Sequence, residues 1–411
     1  MFVARVLFVV LLSFQSLAQV VIDSDSSLVS YLRSKDPLID KVLGDSSYRV
    51  QLVYTSLRKT EDEVRPITFA HTSDQYFYPA STVKLPIALL TLEKLERLGL
   101  GLDDVLKIND DVDCGNKKFI TLTQSRDITF RTLIEEMIVV SDNYYYNCLY
   151  HFVTPKEIND RLKELGFGAT NIYRSFSGCD VVNHLHTNSL EVRNANGAVV
   201  YEQEEQYMNL CDMSGCYVLS EDKKLGEKHE YKRQILDGPY DFNYNLELSL
   251  EDLSGILLKL VQPSLFLSDS VWRLNDLNRN FIVQTCARYP SDLANLQYRN
   301  NSKYPDNIYK YVYSSEGEIE KADEGVISKL GLSYGFTTDV AFVIDRKSDV
   351  QYLLAVSIYT NKNKIVNDGV YEYEEIARPF ISAVAKELRA YESTLKNRAP
   401  LDTDLLDLIF E

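Results

Sequence analysis

The sequence is short of the residues that mark several protein classes. It has 6 Cys in 411 residues, too few for a fold held together by disulfides at this length. Gly and Pro number only 17 and 11, against 45% hydrophobic and 25% charged residues. That composition excludes collagen-like, low-complexity and disordered chains. Positive charge is also scarce. Lys and Arg total 44 against 60 Asp and Glu, for a net charge of −16. A chain of that sign repels phosphate backbones, so nucleic acid is not an expected partner. No later run approaches the ~20 apolar residues of a membrane span. The five His are 71, 151, 184, 186 and 229, and only His184-Leu185-His186 brings two close together. Without a third ligand of the right type nearby, neither a metal nor any other cofactor is expected. There is no internal repeat.

The N-terminus does carry a signal. Arg5 precedes the apolar run Val6 to Leu12, and Ser16-Leu17-Ala18 is a small-x-small site before Gln19. Residues 1–18 therefore read as a secretory signal peptide, and the expected location is secreted or periplasmic. Export permits disulfides. Cys211 and Cys216, five apart in C-D-M-S-G-C, are placed to bridge; Cys114, Cys148, Cys179 and Cys286 are scattered and stay unassigned.

The order of patterns outlines the fold. Residues 20–45 have helical spacing, and residues 49–57 and 66–78 carry strand patterns. Residues 83–98 then form an apolar helix with Pro86 near its start, where proline is tolerated. Helical patterns recur at 130–140, 155–165 and 248–261. Residues 170–245 are polar and resist assignment, and 287–325, rich in Tyr, Asn and Ser, reads as a surface excursion. Strands return at 336–345 and 351–359 around a polar turn, followed by an amphipathic helix over 371–391. Residues 402–411 are an acidic peripheral helix or tail. The expectation is an α/β (α+β) protein. Its antiparallel sheet is built from both chain ends and flanked by helices, with an all-helical lobe inserted. The catalytic domain would run over 19–392, with an α/β lobe at about 24–78 plus 325–392, a helical lobe at about 79–286, and a tail at 393–411.

Three motifs carry chemistry. Ser81-Thr82-Val83-Lys84 opens the apolar helix, Ser141-Asp142-Asn143 follows the next, and Lys329-Leu330-Gly331 precedes the terminal hairpin. A serine hydroxyl is a weak nucleophile and needs a base. Residues i and i+3 on a helix share a face, so Lys84 can reach Ser81. A lysine buried near another cation loses its proton readily. Free amides at the helix start favour developing negative charge. S-x-x-K alone is weak, recurring at Ser56, Ser220 and Ser393, and K-L-G recurs at Lys224. The ordered triple, each member in a fitting context, is far more specific.

S-x-x-K, S-D-N and K-x-G in this order resemble the class A β-lactamases and the penicillin-recognising serine hydrolases. The resemblance runs from about residue 24 to about 392. It implies a catalytic cleft between the two lobes, with Ser81 as acylated nucleophile and Lys84 as its proton acceptor. Ser141 would relay a proton to the leaving nitrogen, Asn143 would contact the substrate amide, and Lys329 with Gly331 would bind substrate. The implied substrate is a small molecule, a β-lactam or a D-amino-acid amide. The same motif set also serves a D,D-peptidase or related amidase or esterase, and a penicillin-binding sensor that acylates without turnover.

Two departures stand against that pattern. Leu330 replaces the Ser or Thr whose hydroxyl helps to bind the substrate carboxylate. The expected ω-loop Glu is also missing: residues 165–174 resemble the approach to that loop, but Ser175-Phe176-Ser177-Gly178 follows. Glu205 in E-Q-Y-M-N is a weak substitute, better read as a solvated residue of an acidic run.

Overall fold

The computed structural model describes residues 21–23, 26–61, 63–109, 126–176, 184–208, 219–299, 301–313 and 324–410. The leader 1–18 and Cys114, Cys179, Cys211 and Cys216 lie outside these residues. The two described cysteines, Cys148 and Cys286, are buried free thiols.

The N-terminal part holds β1 (Val21–Asp23), α1 (Ser26–Lys35), α2 (Pro37–Leu43), β2 (Gln51–Lys59) and β3 (Val64–His71). The C-terminal part supplies β4 (Glu324–Ser333), β5 (Phe336–Asp345) and β6 (Val350–Tyr359). They form one six-stranded sheet in the order β1-β3-β2-β6-β5-β4. All neighbours are antiparallel except the short β1, which runs parallel to β3. Chain ends far apart in sequence thus meet where β6 pairs with β2.

Both faces of this sheet are covered, which is why its strands read as nearly unbroken apolar runs. Alternation divides them. Tyr352, Leu354 and Val356 face a core shared with α1, α2 and α9 (Arg378–Ser393). Leu353 and Ala355 face the opposite core. Tyr54 and Ser56 on β2 both donate hydrogen bonds to the buried Glu392 of α9. This ties the first half of the sheet to the last long helix. The pair of α1 and α2 follows from a local stop and start: the Asp36 carboxylate caps α2 by accepting from Leu38 N at 2.7 Å, with Pro37 beginning the helix.

The inserted lobe is built on α3 (Lys84–Leu98), α4 (Phe130–Val139), α5 (Asn143–Val153), α6 (Pro155–Glu164), α7 (Leu250–Val261) and α8 (Asp276–Ala287). α3 is buried on most sides and closes on Gly99, whose φ of 68° needs glycine's freedom. The core of this lobe is continuous with one face of the sheet.

The structure departs from the sequence patterns in several places, β4 among them, which has no strand pattern in the sequence. α5, N-Y-Y-Y-N-C-L-Y-H-F-V, is rich in aromatic residues of modest helix propensity, and tertiary burial rather than propensity holds it. α8 has a similarly weak pattern. The unassigned 170–245 region contains short strands, among them Leu190–Arg193, Val199–Gln203 and Lys228–Tyr231, so the lobe is helical at its centre with small sheets around it. The 287–325 stretch is more than a surface excursion: Tyr289, Leu293, Tyr298, Tyr311, Val312 and Tyr313 are all buried. Its polar residues hid the tyrosines, whose rings pack inside, as where Tyr311 buries its ring and donates its hydroxyl to Glu374.

Of the two readings of residues 402–411, the structure shows the helix, α10 (Thr403–Phe410), with Leu405 and Leu406 buried in the main core. Leu406→Ala should therefore lower unfolding free energy by about 2–5 kcal/mol, the usual range for a buried leucine. In chemical denaturation, a change within about 0.5 kcal/mol, typical of exposed positions, would show that the helix does not pack there.

Candidate active site

Ser81 lies in a 3-10 turn, Ala80–Val83, that runs directly into α3 at Lys84. In a 3-10 turn, residues i and i+3 eclipse rather than merely share a face. This brings Lys84 Nζ to 3.0 Å from Ser81 Oγ. Ala80, just before the serine, has a φ of 47°, a conformation disfavoured for a residue with a Cβ.

The second motif is a helix start. The Asp142 carboxylate accepts a hydrogen bond from Tyr145 N at 3.0 Å and caps α5. Asn143 is then the first helical residue, and Ser141 sits in the loop before it at φ 59°. That unusual backbone turns the Ser141 carbonyl back toward Lys84. Lys84 Nζ donates to Ser141 O at 2.5 Å and to Asn143 Oδ1 at 2.6 Å, and lies 3.1 Å from Ser141 Oγ. The two carbonyl oxygens can only accept, so they hold two N–H bonds of the amine. The remaining direction points at the hydroxyls of Ser81 and Ser141.

The third motif lies within β4, on the open edge of the sheet. Lys329 Nζ is 3.1 Å from Ser141 Oγ and donates to Leu330 O at 3.0 Å. The atoms therefore form a chain: Ser81 Oγ, Lys84 Nζ, Ser141 Oγ, Lys329 Nζ. Gly331 makes the approach of β4 possible. A Cβ there would stand 2.8 Å from Pro79 O and Ser81 N and 2.9 Å from Thr82 N. All six predicted site residues are thus brought together.

Electrostatics follow from burial. Lys84 is fully buried. Desolvation pushes its pKa well below the ordinary lysine range; the Lys329 charge adds to this and Asp142 opposes it. Burial likewise brings Lys329 down to about 7, with Cys286 and Asp339 opposing and Lys310 reinforcing.

The cleft has a volume of about 420 Å³, and its walls include Ser81, Ser141, Asn143, Lys329, Tyr311 and Glu374. Tyr311 and its neighbours come from the 287–325 segment. Neither they nor Glu374 carried a motif that sequence reading could use. A larger, more open cavity of about 800 Å³ lies along α3 and α6, but its charges pair with one another, as in Lys94–Glu157 and Arg161–Glu93. It holds none of the motif residues.

The segment resembling the approach to the ω-loop does reach Lys84. Arg174 O accepts from Tyr146 OH, Phe176 N donates to Asn147 Oδ1, and the Phe176 ring lies 5.1 Å from Lys84 Nζ. What it places there is a ring. Residues 177–183 lie outside the described residues. Glu205 is elsewhere: it contacts His186 Nε2 at 3.3 Å, is not among the residues lining the cleft, and so is not positioned to serve the serine. His186 stacks on Tyr207, and His184 Nδ1 is 2.9 Å from Ser175 Oγ. Among the described residues, no carboxylate hydrogen-bonds to Ser81, Lys84 or Ser141.

This sheet, lobe and cleft define a class A β-lactamase-like fold. Residues 36–218 match the model of the β-lactamase enzyme family. Among solved structures, TLA-3 extended-spectrum β-lactamase is similar at 14% identity and TM-score 0.51, covering 88% of this chain and 98% of its own. A class A β-lactamase from Bacteroides cellulosilyticus DSM 14838 is similar at 15% identity and TM-score 0.50, covering 90% and 100%. PBP-A is similar at 14% identity and TM-score 0.50, covering 91% and 98%. A search among curated proteins finds no match. The family match covers less than half of the chain, and the solved structures share its fold.

Gly331→Ala should displace the Ser81 turn. Labelling of Ser81 by a serine-directed fluorophosphonate should slow about 10²-fold, the scale set by an ångström-sized misplacement. A folded variant that labels at the wild-type rate would show that the close approach is not needed.

Proposed function

We propose that this chain is a serine hydrolase that opens β-lactam amides through an acyl-enzyme on Ser81. One observation carries the reading: a buried lysine amine, two of whose N–H bonds are held by carbonyls, lies 3.0 Å from a serine hydroxyl at a helix start. In the proposed reaction neutral Lys84 takes the Ser81 proton as Oγ bonds to the substrate carbonyl carbon. Amides at the start of the turn stabilise the developing oxyanion. The C–N bond then breaks, and the leaving nitrogen receives a proton through Ser141 Oγ, which bridges Lys84 and Lys329. Asn143 holds Lys84 and meets the substrate amide. Water then cleaves the ester, releasing the acid and regenerating Ser81. The protein would act outside the cytoplasm after removal of residues 1–18.

A second reading, acylation with little turnover, as in a penicillin-binding peptidase or sensor, has its own support. No described carboxylate contacts the reacting groups. Loss of a general base slows a step by typically ~10²–10⁴-fold.

The test is intact mass spectrometry with a chromogenic cephalosporin at high concentration. A covalent adduct on Ser81 is expected, and none in Ser81→Ala. Many turnovers per enzyme support the hydrolase; an adduct lasting for hours supports the second reading; no adduct on folded protein contradicts both. The acylation rate should also rise with pH as Lys84 loses its proton and level off well below the ordinary lysine range. A rate still climbing at pH 10 would assign the base elsewhere.

A further inference from the structure

We infer that the leaving-group side of the cleft is built for an acyl donor without a free carboxylate: an ester or amide carrying a neutral group there. This rests on Ser81 acylation as proposed above and narrows its substrate class.

Among the described residues, the cations that line the cleft are Arg288, Lys310 and Lys329. Two of them are committed elsewhere. Arg288 pairs with Glu135 Oε1 at 2.6 Å. Lys310 is buried and donates to Cys286 O at 2.6 Å, Val326 O at 2.9 Å and Ser328 Oγ at 3.2 Å. Three acceptors use all three hydrogens of its ammonium. Lys329 remains, and it already holds Ser141 Oγ and Leu330 O.

The wall beside Lys329 is apolar and then acidic. Leu330 and Leu332, two apart on β4, line the cleft, and both join the apolar core on that side of the sheet. Neither can hydrogen-bond a carboxylate. Glu374 lines the same cavity from the turn before α9. Its Oε1 accepts from Tyr311 OH at 3.2 Å and its Oε2 from Arg378 NH1 at 2.6 Å. A substrate carboxylate at this wall would meet Lys329, two of whose three N–H bonds are already taken, two leucines and the Glu374–Arg378 ion pair. A carboxylate held there by one remaining lysine N–H and otherwise facing leucine is poorly satisfied, which is unfavourable. A neutral ester or amide substituent meets no such penalty and gains contact with the leucines.

The chemistry is unchanged by this choice. Ser81 Oγ bonds to the acyl carbon, the bond from that carbon to the leaving oxygen or nitrogen breaks, and the Ser81 proton reaches the leaving atom by way of Lys84 and Ser141. Water then yields the acid and free Ser81. Leu330 and Glu374 act on which donor is accepted, not on the bond-making atoms.

The test compares one cephalosporin as the free acid and as its methyl ester. Each rate of Ser81 acylation is divided by that compound's rate of alkaline hydrolysis, to remove intrinsic reactivity. The ester should lead by at least ~10-fold, and Leu330→Thr, which returns a hydroxyl to this wall, should reduce that ratio by ~10-fold or more, in line with the discrimination a built hydrogen-bonding group provides. Glu374→Gln should move the ratio in the same direction, by relieving repulsion of the acid. Preference for the acid, or a ratio untouched by both variants, overturns the inference while Ser81 acylation stands. Failure of both compounds to label folded protein overturns the acylation reading and this inference together.

Discussion

The site depends on the burial of one ammonium group, that of Lys84. Removing a lysine charge from water costs several kcal/mol even after relaxation, and among the described residues no carboxylate hydrogen-bonds to Lys84 to offset that cost. The protein resolves the conflict by favouring the neutral amine. Its partners are Ser141 O, Asn143 Oδ1 and two hydroxyls, which an amine satisfies as well as an ammonium does. The nearby Lys329 presses in the same direction. An acidic surface is no obstacle, because burial sets the local balance.

Three separate pieces of chain must meet for that arrangement to exist: the turn before α3, the loop before α5 and the edge strand β4. Each pays a local cost in backbone shape or packing. Ala80 and Ser141 both hold φ values of the left-handed region, worth of order 1–3 kcal/mol each. Gly331 gives up a side chain so that two backbones can touch. The large two-sided sheet core and the helical lobe supply the stability that keeps such positions in place.

Much of this was legible in the sequence because the motifs sit on regular elements. S-x-x-K stands at the head of an apolar helix, and the unbroken apolar run around Leu353-Leu354-Ala355-Val356 marks a strand. Other parts were not legible, for physical reasons. The S-D-N motif is visible, but nothing in it says that Asp142 is a cap or that Ser141 bends its carbonyl toward Lys84. β4 escaped notice because a buried lysine and two glycines, Gly325 and Gly331, break its apolar alternation. Tyr311 and Lys310 read as surface residues from composition, which is a poor guide when a hydroxyl and an ammonium find partners within the fold. Glu374 has no local signature at all: its place on the cleft wall comes from the tertiary packing of α9's leading turn against β4 and the Tyr311 segment.

The central claim is that Lys84 is neutral while poised against Ser81. The most direct measurement is an NMR titration of the Lys84 side chain, isotope-labelled and assigned by comparison with Lys84→Arg, in the resting protein. The account predicts a midpoint well below the ordinary lysine range, so that the amine is substantially neutral at mildly alkaline pH. A midpoint near 10.4, the value of an exposed lysine, would contradict it.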